Sequence, residues 1–195
     1  MEKTKQPLIH FLNSTGVITS SQAEEIANGF THKTIEKHQF LLQAGKISNE
    51  YFFLSRGFMR AFVYDTLGND VTTGFYANGQ VVLEVSSFFN RTSSQEYLQA
   101  LTDCEGWCLT YHELNALFHA RAEFREFGRS VLVRGYAALK DRMLSAITET
   151  AAARYEGLLQ ANPEIVQHAP LKNVASYLGI TDTSLSRIRK GSLKK

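Results

Sequence analysis

The 195-residue sequence predicts an α+β protein: an N-terminal antiparallel β-roll (a double-stranded β-helix) with flanking helices, one long helix, and a C-terminal helix-turn-helix. Three patterns carry that prediction. From Thr31 to about Leu109, short apolar, aromatic or β-branched runs are punctuated by Gly45, Gly57, Gly68 and Gly79, at intervals of 12, 11 and 11 residues. Evenly spaced turn signals of this kind mark short antiparallel strands closed into a roll or sandwich. From near His112 to about Thr150 the apolar spacing becomes helical and no proline interrupts it. The last twenty-five residues, Leu171 to Lys195, read as two short amphipathic helices hinged at Gly179.

Each element has its own local reason. Pro7 to Leu12 and Ser21 to Asn28 are expected as short helices, the second capped by Ser20 or Ser21 with Glu24 placed for a capping box. Tyr51 to Leu54, Phe58 to Tyr64, Val71 to Tyr76 and Tyr97 to Leu101 read as strands, with Leu67-Gly68-Asn69-Asp70 as a hairpin tip. In the long helical stretch Leu132, Tyr136, Leu139, Met143 and Ile147 step by 4, 3, 4 and 4, and Phe124, Phe127, Val131 and Ala138 form a second line beside them. A helix with two apolar lines has to bury both, one on its own roll and one on a partner. Gly128 and Gly135, one heptad apart, each cost roughly 1 kcal/mol of helix stability, which close backbone approach at a helix–helix seam would offset. A further helix over residues 151–160 is closed by Asn162-Pro163.

Bulk properties narrow the class. A composition that is 44% hydrophobic argues against extended disorder. No apolar run approaches a membrane span, and Met1 to Thr19 lacks a signal-peptide core. Cys104 and Cys108 flank Trp107 four residues apart, which suits reduced structural thiols better than a zinc site or a disulfide. The six histidines, at positions 10, 32, 38, 112, 119 and 168, show no metal-ligand spacing.

The net charge is +2, from 21 Lys+Arg and 19 Asp+Glu, yet residues 171–195 hold six Lys/Arg and one Asp, a local +5 that leaves −3 for residues 1–170. The cationic surplus is therefore confined to the terminal helix pair. Within that pair Val174, Ala175 and Leu178 share one face, and Ala175 is small where two helices cross. Gly179 supplies the turn, Thr181 is a natural N-cap and Asp182 sits in the positively polarised first turn. Leu185 and Ile188 face inward, leaving Thr183, Ser184, Ser186, Arg187 and Lys190 outward and Arg189 nearer the flank. Hydroxyls bond phosphates or base edges, and an arginine fork matches the O6/N7 edge of guanine. A compact basic helix pair of this kind enters the DNA major groove, so the expected DNA-contacting set is Thr181, Thr183, Ser184, Ser186, Arg187, Arg189 and Lys190.

Taken in order, roll, long helix and helix-turn-helix resemble the Crp/Fnr family of bacterial transcription regulators over about residues 8 to 190. Gly45, the run from Tyr51 through Gly57 to Arg60, Gly68 and Gly79 look like the family's roll signature, and Leu178 through Arg189 looks like its reading helix. The resemblance implies a cytoplasmic homodimer that senses a small-molecule effector, reads a palindromic DNA site and works with RNA polymerase. It makes the long helix the dimer axis, through Leu132, Tyr136, Leu139, Met143 and Ile147. The implied divisions are residues 1–120 for the effector-sensing, cyclic-nucleotide-binding-like roll, 121–150 for the dimerisation helix and 151–195 for the DNA-binding domain.

Two departures limit the carry-over. The family's nucleotide binders pair Gly-Glu with Arg-Ser/Thr-Ala about ten residues later, the glutamate holding the ribose and the arginine holding the cyclic phosphate. Here Glu84 matches the glutamate, Leu83 replaces the glycine, and Ser94 stands where the arginine belongs, followed by Gln95-Glu96. A buried phosphate without its cationic partner loses a contact worth about 1.5–3 kcal/mol. Arg91, three residues early, is placed to reach in from the loop. The expected pocket is Glu84, Ser86, Ser87, Arg91, Ser93 and Ser94, with no bound cofactor and no cyclic AMP; it is empty, filled by Phe88 or Phe89, or tuned to another small molecule. The second departure is the short run Gly191-Ser192-Leu193-Lys194-Lys195 after the reading helix, which resembles the family's wingless members, with Lys194 and Lys195 standing in for a wing's phosphate contacts. Arg187 matches the family's base-contacting arginine, while Asp182 and Thr183 differ from the best-known member's arginine and glutamate and point to another operator.

Other chemistries find less support. The main alternative is a small-molecule-binding roll or cupin-like enzyme whose C-terminal helices merely pack and do not bind DNA. Such an enzyme needs clustered His and Glu metal ligands on adjacent strands, and His32 and His38 at the start of the roll supply none. No nucleophile–base constellation stands out, so no catalytic residue is expected. Iron–sulfur sensing needs an N-terminal cysteine cluster, which is missing, and no His or Cys stands out as a haem ligand. A third reading keeps the dimer but turns the reading helix to a protein partner.

Overall fold

The computed structural model describes residues 4–192. Among them, eight strands form two four-stranded antiparallel sheets. The strands are β1 (Thr31–Ile35), β2 (Phe40–Leu42), β3 (Glu50–Arg56), β4 (Met59–Tyr64), β5 (Asp70–Tyr76), β6 (Gln80–Val82), β7 (Tyr97–Ala100) and β8 (Cys104–Thr110). One sheet has the order β1-β8-β3-β6 and the other β2-β7-β4-β5. The chain therefore crosses repeatedly between sheets, as a roll requires.

The strand β3 shows how the sequence builds this. Tyr51, Phe52, Phe53 and Leu54 are all buried, an unbroken run where one wet face would give alternation. Phe52 and Leu54 point between the sheets, with Ile35, Leu42, Met59, Ala61, Val82, Leu98, Ala100 and Cys104. Tyr51 and Phe53 point the other way, into a helical layer. Gly45, Gly57, Gly68 and Gly79 all have positive φ, as turns at those four positions require. At Gly57 the requirement is absolute: φ is +115°, and a Cβ would lie 2.7 Å from both Asp103 O and Cys104 Sγ.

The helices are α1 (Gln6–Asn13), α2 (Ser20–Asn28), α3 (Val85–Asn90), α4 (Tyr111–Ala120), α5 (Ala122–Thr148), α6 (Ala151–Ala161), α7 (Ile165–His168), α8 (Leu171–Tyr177) and α9 (Asp182–Ser192). Two expectations are corrected here. The cap of α2 is Thr19, one residue before the expected serines, and Gln22 rather than Glu24 completes the capping box. The helical stretch from His112 is not continuous. It breaks at Arg121, which is extended (φ −130°, ψ 113°), and α4 opens with its own capping box between Thr110 and Glu113. Arg125 spans the break by donating to Phe118 O (2.7 Å), and the corner lets Phe118 pack on Phe124 with ring centroids 5.2 Å apart.

Gly128 does lie at a helix–helix seam, but the seam is between α4 and α5 of one protomer. A Cβ there would meet the Phe118 ring at 2.5 Å, so its missing side chain makes room within the protomer. Gly135 has nothing within 4 Å. Cys104 and Cys108 are free thiols on β8, and burial pushes both thiols upward.

Each sheet carries a separate layer. Tyr51, Phe53, Trp107 and Leu109 are covered by Leu8, Leu12, Ala23, Ile26, Leu114, Phe124 and Phe127 from α1, α2, α4 and the start of α5. Phe58 and Leu101 of the other side are buried with Tyr155, Ile165, Val174, Ala175, Leu178 and Leu185 from the C-terminal helices. Of the line Phe124, Phe127, Val131 and Ala138, the first three are spent on the protomer's own roll, whereas Ala138 is exposed. The other line is not spent there: Leu132, Tyr136, Leu139, Met143 and Ile147 are 47, 71, 62, 48 and 74% exposed. No described helix is long and apolar enough to cross a membrane.

Candidate nucleic-acid interface and roll pocket

The C-terminal helix pair is built as a rigid head. Gly179 at φ +67° ends α8, and the backbone bonds Gly179 N–H to Ser176 O and Ile180 N–H to Ala175 O (both 3.0 Å) close it. Thr181 Oγ1 accepts from Ser184 N–H (3.2 Å) and lies 3.0 Å from the Ser184 hydroxyl, so Thr181 caps α9. Leu185 is buried against Val174, Ala175 and Leu178, with Ile188 packed at the edge.

That anchoring decides what faces out. Thr181, Thr183, Ser186, Arg187 and Lys190 are exposed, while Ser184 and Arg189 are half-buried. Among the described residues Arg187 and Lys190 have no hydrogen bond and no ion pair, so their donors are available to an external acceptor. Ser184 is partly committed to the cap. Lys194 and Lys195 lie outside the described residues.

At the roll pocket most of the expected side chains are engaged by neighbouring residues. The Glu84 carboxylate caps α3, accepting from Ser86 N–H (2.9 Å) and Ser87 N–H (2.7 Å). The Ser87 hydroxyl is buried, accepting from Ser48 N–H (2.8 Å) and donating to Thr92 O (2.5 Å). Ser86 accepts from Asn90, Ser93 bridges to Ile47, and buried Ser94 donates to Glu96 O (2.9 Å). Arg91, at φ +57°, is held by its guanidinium, which donates to Ser48 O (2.8 Å), Phe88 O (3.2 Å) and Asn49 Oδ1 (3.0 Å).

In place of a cation, the pocket gathers acid. Burial raises the Glu96 carboxyl above its usual range, and Glu84 raises it further while Arg142 of α5 opposes weakly. Tyr76 is raised by burial first and then by Glu96 and Glu84. Phe88 is wholly buried in the helical layer, whereas Phe89 lines an apolar cavity of about 620 Å³ beneath α5, between Tyr51, Leu83, Phe127 and Leu139. Among the described residues no group of three or more His, Cys, Asp or Glu is arranged to hold a metal ion.

Residues 32–121 match the family of cyclic nucleotide-binding domains, and the order of roll, long helix and C-terminal helices extends the likeness to whole chains. FixK2 from Bradyrhizobium japonicum superposes with a TM-score of 0.72 at 15% identity, over 83% of each chain. The chain has the Crp/Fnr fold. A CooA variant from Carboxydothermus hydrogenoformans is similar over 100% of this chain and 86% of its own, with 15% identity and a TM-score of 0.69. CLP, the c-di-GMP-responsive global regulator of Xanthomonas campestris, matches over 90 and 92%, with 14% identity and a TM-score of 0.65. No curated protein matches the sequence significantly.

Within the Crp/Fnr fold, sequence reasoning missed the residues that join head to roll. The Ser176 hydroxyl accepts from Thr72 N–H of β5 (3.1 Å), Phe75 packs on Tyr177 (5.1 Å between ring centroids), and Arg142 and Arg154 reach into α8. No local signal marks them, because arginines on an amphipathic helix read as solvated positions.

Proposed function

We propose that this protein is a homodimeric, sequence-specific DNA-binding transcription regulator without catalytic activity. The observation that carries the reading is the outer face of α9: hydroxyls and two uncommitted cations on a helix whose opposite side is locked by Leu185. A second copy placed along the exposed α5 line buries Tyr136, Leu139 and Ile147 and pairs two reading helices about a two-fold axis. Two-fold pairing calls for half-sites about one helical turn, ~34 Å, apart.

The pocket geometry supports a regulator that does not use cyclic AMP. A cyclic phosphate needs a cation and free amides. Glu84 takes the amides of Ser86 and Ser87, Arg91 is tied to Ser48 and Asn49, and Glu96 adds negative charge.

Selection of bound sequences from random duplex DNA by the purified protein, with and without metabolite extract, tests the reading. A two-fold-symmetric consensus is expected. No enrichment in either arm rejects DNA recognition. Titration calorimetry showing low-micromolar cyclic AMP binding that is lost in E84A rejects the pocket assignment.

A further inference from the structure

Two arginines from outside the helix-turn-helix complete the end of α8. The backbone bonds of Gly179 and Ile180 satisfy Ser176 O and Ala175 O, leaving Tyr177 O and Leu178 O next in line. Arg154 of α6 donates to Leu178 O at 2.8 Å, and Arg142 of α5 donates to Tyr177 O at a longer 3.4 Å. Each has a second anchor. Arg142 also donates to Thr73 O on β5 and lies 4.0 Å from the ring centre of Tyr177. Arg154 donates to Ala146 O and Glu149 O (3.2 Å each), where α5 ends. Roll, long helix, α6 and reading head therefore meet at these two side chains.

We propose that Arg142 and Arg154 are positioning residues that set the direction of α9 relative to α5, and through it the half-site separation the dimer reads. The proposal rests on the DNA-reading function proposed above. Apolar contacts such as those around Tyr155 and Val174 are non-directional and tolerate sliding. A planar guanidinium that holds two carbonyls at once does not, because its donors leave in fixed directions. In a two-fold dimer any rotation of the head about the α5–α6 corner moves the two reading helices in opposite senses. Spacing preference is then the readout of head orientation. Neither arginine lies on α9, so neither is placed to read bases.

The test is fluorescence anisotropy on duplexes carrying the selected half-site twice, with spacers varied by single base pairs, for wild type, R142A, R154A and R142K. Wild type prefers one spacing by about tenfold or more, and R142A and R154A bring neighbouring spacings within about threefold of the optimum. Binding to a single half-site stays as in wild type, which a merely unfolding variant would not preserve. R142K restores the preference only in part, since an ammonium loses the guanidinium's contact over the Tyr177 ring and its forked donors. Hydrogen exchange of the DNA-free protein gives a second readout: α8 amides exchange faster in R142A while β1 and β8 are unchanged. If R142A fails to fold, R142K and R154A carry the same readouts. Wild-type spacing preference and α8 exchange in the folded variants overturn this proposal alone. A wild type that binds no duplex overturns the DNA reading, and this proposal with it.

Discussion

Arg91 lies over the ring of Tyr111, 4.2 Å from its centre, and its guanidinium bolts the α3–β7 loop to Ser48 and Asn49. The residue that the sequence offers as a replacement phosphate ligand is held by structural contacts. Charge-assisted bonds of this kind are worth about 1.5–3 kcal/mol. R91A is therefore expected to lower unfolding free energy by roughly that amount, measured by denaturant titration, without creating or abolishing nucleotide binding. An unchanged midpoint would refute a stabilising role for those contacts.

Glu96 sets a pH dependence with a definite sign. Its carboxyl is raised in the folded chain, mainly by burial, above its ordinary value of 4.5. The folded state then holds this proton more tightly than the unfolded state, so stability declines as pH rises from 4.5 through the folded value. E96Q is expected to raise the thermal midpoint at pH 7 and to flatten the decline just above pH 4.5. A lower midpoint at pH 7 with the decline intact contradicts the assignment.

The exposed line on α5 predicts dimer loss without loss of fold. Tyr136 and Ile147 are 71 and 74% exposed in the single chain, so Y136E and I147E have little to disrupt within it. Across a two-fold interface each buries against apolar neighbours, and a buried large side chain contributes about 1.5–3 kcal/mol. Sedimentation should show a monomer with an unaltered circular dichroism spectrum. A stable dimer in the double variant rules out this interface.

On DNA, Arg187 and Lys190 separate into two roles. R187A should weaken specific binding by roughly 1–3 kcal/mol and relax preference at one base position, while K190A should weaken all sequences alike. If about four Lys/Arg per subunit meet phosphate, the dimer's log–log salt slope lies near −7. A slope near zero, or full specificity in R187A, counts against the groove-binding geometry.

Gly128 predicts an intraprotomer defect. G128A gains about 1 kcal/mol of helix propensity but drives a methyl into the Phe118 ring, which sits 2.5 Å from the added Cβ. Overpacking of that kind costs about 1–3 kcal/mol, so net destabilisation is expected in thermal melts and should be reversed in the G128A/F118L double variant.

How far the chain could be read without coordinates depended on the range of the interaction. The four roll glycines, the hairpin tip at Leu67 to Asp70, the C-cap at Gly179 and the N-cap at Thr181 are legible because each satisfies steric or hydrogen-bond rules within a few residues. The two apolar lines of α5 are legible from period alone, but which of them the roll buries is decided by packing. The break at Arg121 is not, since nothing local forbids a helix there and the corner exists because Phe118 has to pack on Phe124.

Composition and spacing by themselves determined the architecture, the basic, hydroxyl-bearing outer face of α9 and the absence of an arginine at Ser94. Tertiary structure alone decided what the remaining polar groups do. Arg91 meets Ser48 across 43 positions, and Arg142 meets Thr73 across 69. Pairings that distant depend on how the roll closes and where the head docks, and closure is set by the summed burial of three apolar clusters rather than by any neighbour in the chain.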